Sequence, residues 1–579
     1  MFEVRRKKVA LAVLLAIGLV GAGCGLHHGR HASHHACKSC AAHHHGAPAA
    51  PPRLVVQVTV DQLRGDLPRR YAERFGEGGF RYLLERGTWY TAAHYRHANT
   101  ETAPGHATLA TGADPAVHGI VSNDWIDGRT RAFVYNTEDD RHHLIGADPK
   151  PHQGVSPRNL LASTFGDELV LDTAGGSRVF SVSGKDRGAI LPGGHAGKAF
   201  WFSRSSGQFV TSTYYYDAYP AWAAAWNEAG PMDRFVGQSW TLLNDRSTYR
   251  FADADDQPWE VDLQPFGRTF PHSLGEGRYL QLFVSLSPMV DELTVDFAKA
   301  VIENEALGQG TDTDFLAVSF SAADYAGHLF GPGSLESEDT ILRLDRVLAE
   351  LFAFVDEKVG LENTLIVLSA DHGGVEAPEQ AEAIGIEAGR MPLGFFRGPN
   401  PVADALKKRY GRSDLILGPS HPYLYLNVEA IEAAGLDRGE VERFVVAEVI
   451  KLPAITRAFS WGDLAGEGAA QDPLLDAARR TFHPERSGQV HLVQPPYWFM
   501  HSTDEAEKMG LPSLAAIHGS PWAYDTHVPI VFAGHRVRAQ KVGRTVGPHQ
   551  IAPTLSAYLG IKPPSGSDGE LLVEALPRH

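Results

Sequence analysis

Three aspartates and three histidines of this chain stand beside the ends of short apolar runs, where side chains can converge on a metal: Asp61, Asp324, His328, Asp371, His372 and His518. Carboxylate and imidazole together suit zinc, and six such donors are enough for two ions. Calcium or manganese would want more oxygen donors than these positions offer. In Asp324-Tyr-Ala-Gly-His328 the four-residue spacing puts both ligands on one face of a helical turn, a spacing that ordinary surface pairs also use. Asp371-His372 is followed by Gly373 and Gly374, which allow backbone to pack close. His518 and His527 compete for the last position. His518 is preferred because Gly519 permits an exposed loop approach, whereas His527 directly precedes an apolar run and suits a supporting hydrogen bond.

A second set of residues could handle an anion. Thr102 opens Thr102-Ala-Pro-Gly-His106, with Pro104 near the first helical position. At a helix start, backbone N–H groups and the helix dipole favour negative charge, so an attacking alkoxide or a bound phosphoryl group would be stabilised there; taken alone, without the metal ligands, Thr102 reads as an N-cap. Lys185 and Arg187, in Ser183-Gly-Lys-Asp-Arg187, are two cations that could grip phosphoryl oxygens or simply line a solvated loop. Asn123 offers an amide donor or an ordinary turn residue.

These residues need a scaffold. From Leu54 onward, short β-rich apolar runs alternate with helical segments, which predicts an α/β fold with a mostly parallel central sheet flanked by helices. The runs that matter are Leu54 to Val60, Phe315 to Phe320, Leu365 to Ser369 and Val528 to Ala533. Three of them end in Asp61, in the turn from Ser321 to Asp324, and in Asp371-His372. Ligands of open α/β sheets bind outside the carboxyl ends of strands, so these polar residues should meet. Two segments read as inserted caps: residues 180–300, aromatic and without helical period, and residues 376–515, with mixed signals.

The 579 residues are 43% hydrophobic and 21% charged, ample for a globular core. A formal charge of -16 argues against general nucleic-acid binding, which needs clustered Lys and Arg. Residues 1–23 read as an export signal: basic Arg5 to Lys8, an apolar run from Val9 to Val20 too short to span a bilayer comfortably, then small residues. Cys24 follows as in the lipobox of bacterial lipoproteins, although Gly21 departs from the usual aliphatic residue. A lipid anchor at Cys24 is one expectation, cleavage and release the other, and Arg5-Arg6 leaves the twin-arginine route open. Residues 24–52 form a His-rich tether containing Cys37-x-x-Cys40. All three cysteines lie at or before position 40, so metal ligands beyond it must be His and carboxylate.

Taken together, Thr102-Ala-Pro-Gly-His106, Thr111-Gly-Ala-Asp-Pro-Ala-Val-His-Gly-Ile120 and Asn123-Asp-Trp125 resemble the alkaline phosphatase superfamily, and the six ligands occur in that superfamily's order. The Lys185-x-Arg187 element resembles the phosphate-irrepressible (PafA-type) periplasmic alkaline phosphatases. The C/S-x-P-x-R motif of sulfatases is absent. The resemblance implies an alkaline phosphatase-like domain over residues 53–579 and two Zn2+ per chain. One ion would be held by Asp324, His328 and His518, the other by Asp61, Asp371 and His372 with the Thr102 oxygen. It further implies Thr102 as nucleophile through a phosphothreonine, with Lys185, Arg187 and Asn123 binding a small phosphorylated substrate in the periplasm or outside the cell. A nucleotide pyrophosphatase or phosphodiesterase of the same superfamily, and a non-catalytic zinc-binding or carrier protein suggested by the His tract, are the alternatives.

Overall fold

The structure, a computed structural model, describes residues 50–146, 154–466, 470–501 and 514–577, so the expected export segment, Cys24 and the His-rich tether up to Ala49 lie outside the described residues. The central sheet has ten strands. In chain order they are β1 (Leu54–Val60), β2 (Thr88–His94), β3 (Leu144–Ile145), β4 (Val179–Ser183), β5 (Lys198–Ser203), β6 (Gln208–Ser212), β7 (Asp314–Phe320), β8 (Thr364–Ser369), β9 (His527–Gly534) and β10 (Gln540–Val542). Across the sheet the order is β10-β2-β9-β8-β1-β7-β4-β5-β6-β3.

The middle of this sheet follows from its sequence. β1, β4, β7 and β8 are buried along their whole length, as expected of parallel strands covered on both faces, and so read as continuous apolar runs. Val56, Val58, Leu316, Val318, Ile366 and Leu368 pack on one face, while Val55, Phe315, Leu365 and Val367 pack on the other. Each fully buried side chain of this kind contributes roughly 1.5–3 kcal/mol, so burial on both faces stabilises the centre of the sheet.

Register then sets the level of the strand ends. β1 runs parallel to β7 and to β8, with Val60 opposite Phe320 and Thr59 opposite Ser369, and β4 runs parallel to β7, with Ser183 opposite Ser319. The chain therefore leaves four neighbouring strands at one edge, just before Asp61, Lys185, Ser321 and Asp371. β9, the fourth run expected from sequence, pairs antiparallel with both β8 and β2.

Five helices matter to the site: α1 (Thr102–Thr111), α2 (Asp186–Gly193), α3 (Met289–Asn304), α4 (Ala322–Phe330) and α5 (Leu335–Lys358). α1 is buried from end to end. A Cβ at Gly105 would collide with the Asp371 carbonyl, so only glycine lets α1 press against that loop. Asp291 of α3 accepts hydrogen bonds from Ser321 N (2.8 Å) and Ala322 N (3.1 Å), which caps the start of α4 and fixes Asp324 one turn on.

The segment read as the first cap is built differently. Residues 179–212 supply β4, β5 and β6 of the central sheet, and aromatic residues within and beyond them pack on α3, with Phe209 of β6 stacked on Phe297 at 4.3 Å and Trp226 edge-on to the same ring at 5.0 Å. Their aromatic density reflects this two-sided burial. The second segment carries a separate four-stranded antiparallel sheet, ordered Ile416–Ser420, Tyr423–Leu426, Val490–Val493, Arg457–Ser460, with its own apolar cluster around Leu406, Leu424, Val445 and Leu492.

Candidate active site

Beyond the carboxyl ends of β1, β7 and β8, three carboxylates face one another almost without water: Asp61 and Asp371 are fully buried and Asp324 is 2% exposed. Among the described residues neither Asp61 oxygen nor Asp371 Oδ2 accepts a well-formed hydrogen bond, although each lies close to a nitrogen: Asp61 Oδ2 to the Lys185 ammonium at 2.6 Å, Asp61 Oδ1 to His372 Nε2 at 3.3 Å and Asp371 Oδ2 to His106 Nδ1 at 3.1 Å. The other Asp371 oxygen accepts from Gln62 N (3.2 Å) and His372 N (3.0 Å). Burial, then the neighbouring charges of Asp324 and Asp371, push the Asp61 carboxyl above its ordinary pKa. Buried carboxylates persist only when a cation answers them.

The imidazoles are aimed at these oxygens. His328 Nδ1 donates to the Ala516 carbonyl, His372 Nδ1 to that of Gly373 and His518 Nδ1 to that of Thr100, each at 2.9 Å. With Nδ1 committed to backbone, each ring turns Nε2 inward, the orientation that backbone partners give to metal-ligating histidines. His328 Nε2 is 3.2 Å and His518 Nε2 3.4 Å from Asp324 Oδ1, and His372 Nε2 is 3.3 Å from Asp61 Oδ1. Burial pulls His518 down to about 4, toward the neutral ring a metal needs, whereas His372, although buried, is raised to about 9 by the Asp371 and Asp61 carboxylates around it. Three buried carboxylates answered by a single ammonium, that of Lys185, and lying beside inward-facing imidazole nitrogens fit a divalent cation.

Among the described residues, two triples have donor atoms that lie within 4.8 Å of one another: Asp61 with Asp371 and His372, and Asp324 with His372 and His518. The first is the grouping the resemblance implies. The second keeps Asp324 and His518 of the expected group and brings His372 within reach of them, while the expected His328 has its Nε2 3.2 Å from Asp324 Oδ1. The cause is ring packing: His372 and His518 stack at 3.5 Å between centroids, which places His372 between the two groups, while the His328 and His518 rings are 5.1 Å apart. His527 takes no part; its ring stacks on His94 at 4.8 Å and its Nε2 meets the Thr91 carbonyl.

Thr102, 1% exposed, begins α1 with Oγ1 3.4 Å from His372 Nε2 and 3.5 Å from Arg187 Nη2. Lys185 leaves β4 and reaches into the carboxylates, with Nζ 2.6 Å from Asp61 and 2.5 Å from Asp324. Arg187 is steadied by Tyr135, whose hydroxyl lies 3.3 Å from Arg187 Nη1 and donates to Asp186 at 2.8 Å. Asn123 accepts Ala103 N on its carbonyl oxygen (3.0 Å), leaving its amide N–H groups free for the pocket that Asn123, Lys185 and Arg187 line. A threonine hydroxyl, two cations and an amide donor thus share one cavity beside two candidate metal positions. This arrangement can hold a phosphoryl group and attack it.

Sequence reasoning passed over the residues that hold this set. Glu101 accepts from Asn123 N (2.8 Å), Ser122 Oγ (2.7 Å) and Asn99 Nδ2 (3.2 Å). Although half-buried, its carboxyl stays low, at about 2, because His421, Ser122 and Asn123 N favour the charged form. Gln62 donates to Asp324 at 3.1 Å, and His106 Nδ1, bound to the Thr102 carbonyl, also lies 3.1 Å from Asp371. Their neighbours Asp61 and Thr102 were the available signal for Gln62, Glu101 and His106.

Comparison with known proteins agrees with this architecture. Alkaline phosphatase PafA of Elizabethkingia meningoseptica is 34% identical over 91% of this chain and 95% of its own length. A protein of Myroides odoratus named as a calcium-transporting ATPase is 35% identical over 91% of this chain and 95% of its own. Among the residues described here, no helix is long and apolar enough to cross a membrane. The crystal structure of wild-type PafA superposes with a TM-score of 0.83 at 31% identity, over 91% of this chain and all of PafA. The pattern of the type I phosphodiesterase / nucleotide pyrophosphatase family matches residues 55–521. The chain therefore belongs to the type I phosphodiesterase / nucleotide pyrophosphatase family, within the alkaline phosphatase superfamily.

Proposed function

We propose that this protein is an alkaline phosphatase that hydrolyses phosphate monoesters at the carboxyl edge of its central sheet, with Thr102 as the nucleophile. The observation that carries this reading is that Arg187 lies 3.5 Å from Thr102 Oγ1 while Lys185 lies within the same pocket. A monoester presents a dianionic phosphoryl group with three free oxygens, one more charge than a diester, and a second fixed cation is what that extra charge requires.

Asp61, Asp371 and His372 would hold one metal ion and Asp324 and His518, with His328 or His372, the other; His and carboxylate donors favour zinc. When bound, the ions supply Lewis-acid stabilisation of charge on the attacking and leaving oxygens. The chain's own groups do the rest. Asn123 and Arg187 orient the phosphoryl oxygens, Lys185 adds the positive charge that a dianion demands, and Thr102 provides the oxygen that attacks phosphorus and carries the phosphoryl group until water releases it. Export through the signal-like residues 1–23, with release or a lipid anchor at Cys24, would put this activity in the periplasm or outside the cell.

The family also includes diesterases by its name, which makes phosphodiester hydrolysis the reading to test against. An aryl phosphate and its bis-aryl diester, compared with metal-replete enzyme, decide the matter. Preference for the monoester, lost in Lys185→Ala, is the expected result; strong preference for the diester with monoester turnover indifferent to Lys185 would reject the proposal. A chain starting at Arg53 that keeps activity and two tight metals would reject a carrier role for the His tract.

A further inference from the structure

The pocket beside Thr102 is larger than a phosphoryl group. Its volume is about 360 Å³, equal to roughly a dozen waters at about 30 Å³ each, and its walls include Tyr135, Trp201, Phe202, Tyr325 and His328. A third cation, Arg204, lines the same pocket and, unlike the buried Lys185, is partly exposed, which makes it the outer of the two.

Its partners set it apart from the other two. Lys185 is held by Asp61 and Asp324, and Arg187 by Tyr135 and by Asp186 at 4.0 Å. Arg204 has no carboxylate partner and no hydrogen bond among the described residues; its guanidinium lies over the Tyr325 ring, 4.6 Å from the centroid. Tyr325 is 8% exposed, and the Lys185 ammonium lies 4.7 Å from the same ring. The ring thus joins the outer cation to the inner one, and attraction to the ring face holds the guanidinium without neutralising it. The backbone is equally fixed, since Arg204 is the first residue of the turn between β5 and β6.

Direction follows from the chemistry. In an in-line displacement the leaving oxygen departs opposite the attacking one. A leaving group moving away from Thr102 toward Asp324 and His328 enters the part of the pocket where Tyr325, between them in sequence, carries Arg204. We propose that Arg204, held on Tyr325, forms a leaving-group subsite selecting monoesters whose leaving group bears a second anion, a carboxylate or another phosphate. This inference rests on the monoesterase function proposed above. A guanidinium meets either anion with paired N–H donors, and its partial exposure makes the preference moderate and sensitive to salt.

The test compares 4-carboxyphenyl phosphate with its methyl ester, which differ in leaving-group charge far more than in leaving ability, and propane-1,3-diyl bisphosphate with propyl phosphate. The readout in each pair is the ratio of kcat/KM values for wild type, Arg204→Met and Arg204→Lys. Wild type should favour the anionic member about tenfold at low salt, Arg204→Met should bring the ratio near one, and Arg204→Lys should keep part of it. A change in the carboxylate pair alone would identify the second anion as carboxylate, and a change in the bisphosphate pair alone as phosphate. Turnover of the monoesters with ratios unaffected by Arg204→Met overturns the subsite alone. Absence of monoester turnover in wild type overturns the monoesterase function and the subsite with it.

Discussion

The ammonium of Lys185 lies 2.6 Å from the carboxylate of Asp61, a contact between the ends of β4 and β1 in which both side chains are buried. Asp61 is a candidate metal ligand and Lys185 a candidate phosphoryl cation, so the contact couples the two halves of the proposed site. Burial disfavours the charged amine, but Asp324 and Asp61 more than compensate and keep it protonated throughout the working range. Lys185→Ala should therefore lower kcat/KM for an aryl phosphate by about 10²–10³-fold, the size found for removing one fixed donor to a developing anion. A diester, with one less charge, should lose less, and the two rates measured side by side give the comparison.

Thr102 tests the chemistry itself. Its Oγ1 is the atom that Arg187 and His372 both approach, at 3.5 and 3.4 Å. Thr102→Ala should abolish monoester turnover by three orders of magnitude or more, while Thr102→Ser, which keeps an oxygen at that point, should retain a readily measured rate. Acid quenching during turnover followed by peptide mass analysis should find phosphate on the peptide bearing Thr102; turnover that survives in Thr102→Ala would refute the assignment.

Glu101 contributes through Asn123. Three hydrogen bonds converge on its Oε2, one of them from Asn123 N, so the charged carboxylate fixes the loop that presents the Asn123 amide. Glu101→Gln turns one acceptor into a donor and should cost about tenfold in kcat/KM. In an Asn123→Ala background the same change should cost much less, because residues acting as one unit are not additive. Equal losses in both backgrounds would mean that Glu101 serves only the fold.

How far these relationships could be read from sequence depended on whether their cause is local. The run Leu54 to Val60 is apolar and β-branched because β1 is covered on both faces, so it announces itself as a strand, and its parallel register with β7 and β8 is what brings Asp61 level with Ser321 and Asp371. The strands at 179–212 were harder to place, since aromatic residues packed against α3 obscure the pattern that marks a sheet. The ligand residues were legible one by one, but the role of His372 in both triples was not, because it comes from stacking on His518, far away in the chain. The same holds for Tyr135 beside Arg187, a contact made by folding alone.

Away from the active site, Glu260 gives the stability a pH dependence of definite sign. The residue is 5% exposed; one oxygen accepts from Gln257 N at 2.9 Å and the other has no hydrogen-bond partner among the described residues. Burial first, and then the charge of the buried Glu336, push its carboxyl up to about 9, from 4.5 where the chain is free. Because the folded state holds this proton more tightly than the unfolded state, the stabilisation is complete below about pH 4.5 and is lost as pH rises toward 9. Glu260→Gln keeps the oxygen that Gln257 N requires and replaces the protonated hydroxyl with an amide that cannot ionise. The Tm of the variant relative to wild type should therefore rise steadily between pH 5 and pH 9, with the variant the more stable at the upper end. Thermal melts of both proteins across that range measure the difference directly, and a constant difference would mean that Glu260 is ionised in the fold and that a cation not yet identified accompanies it.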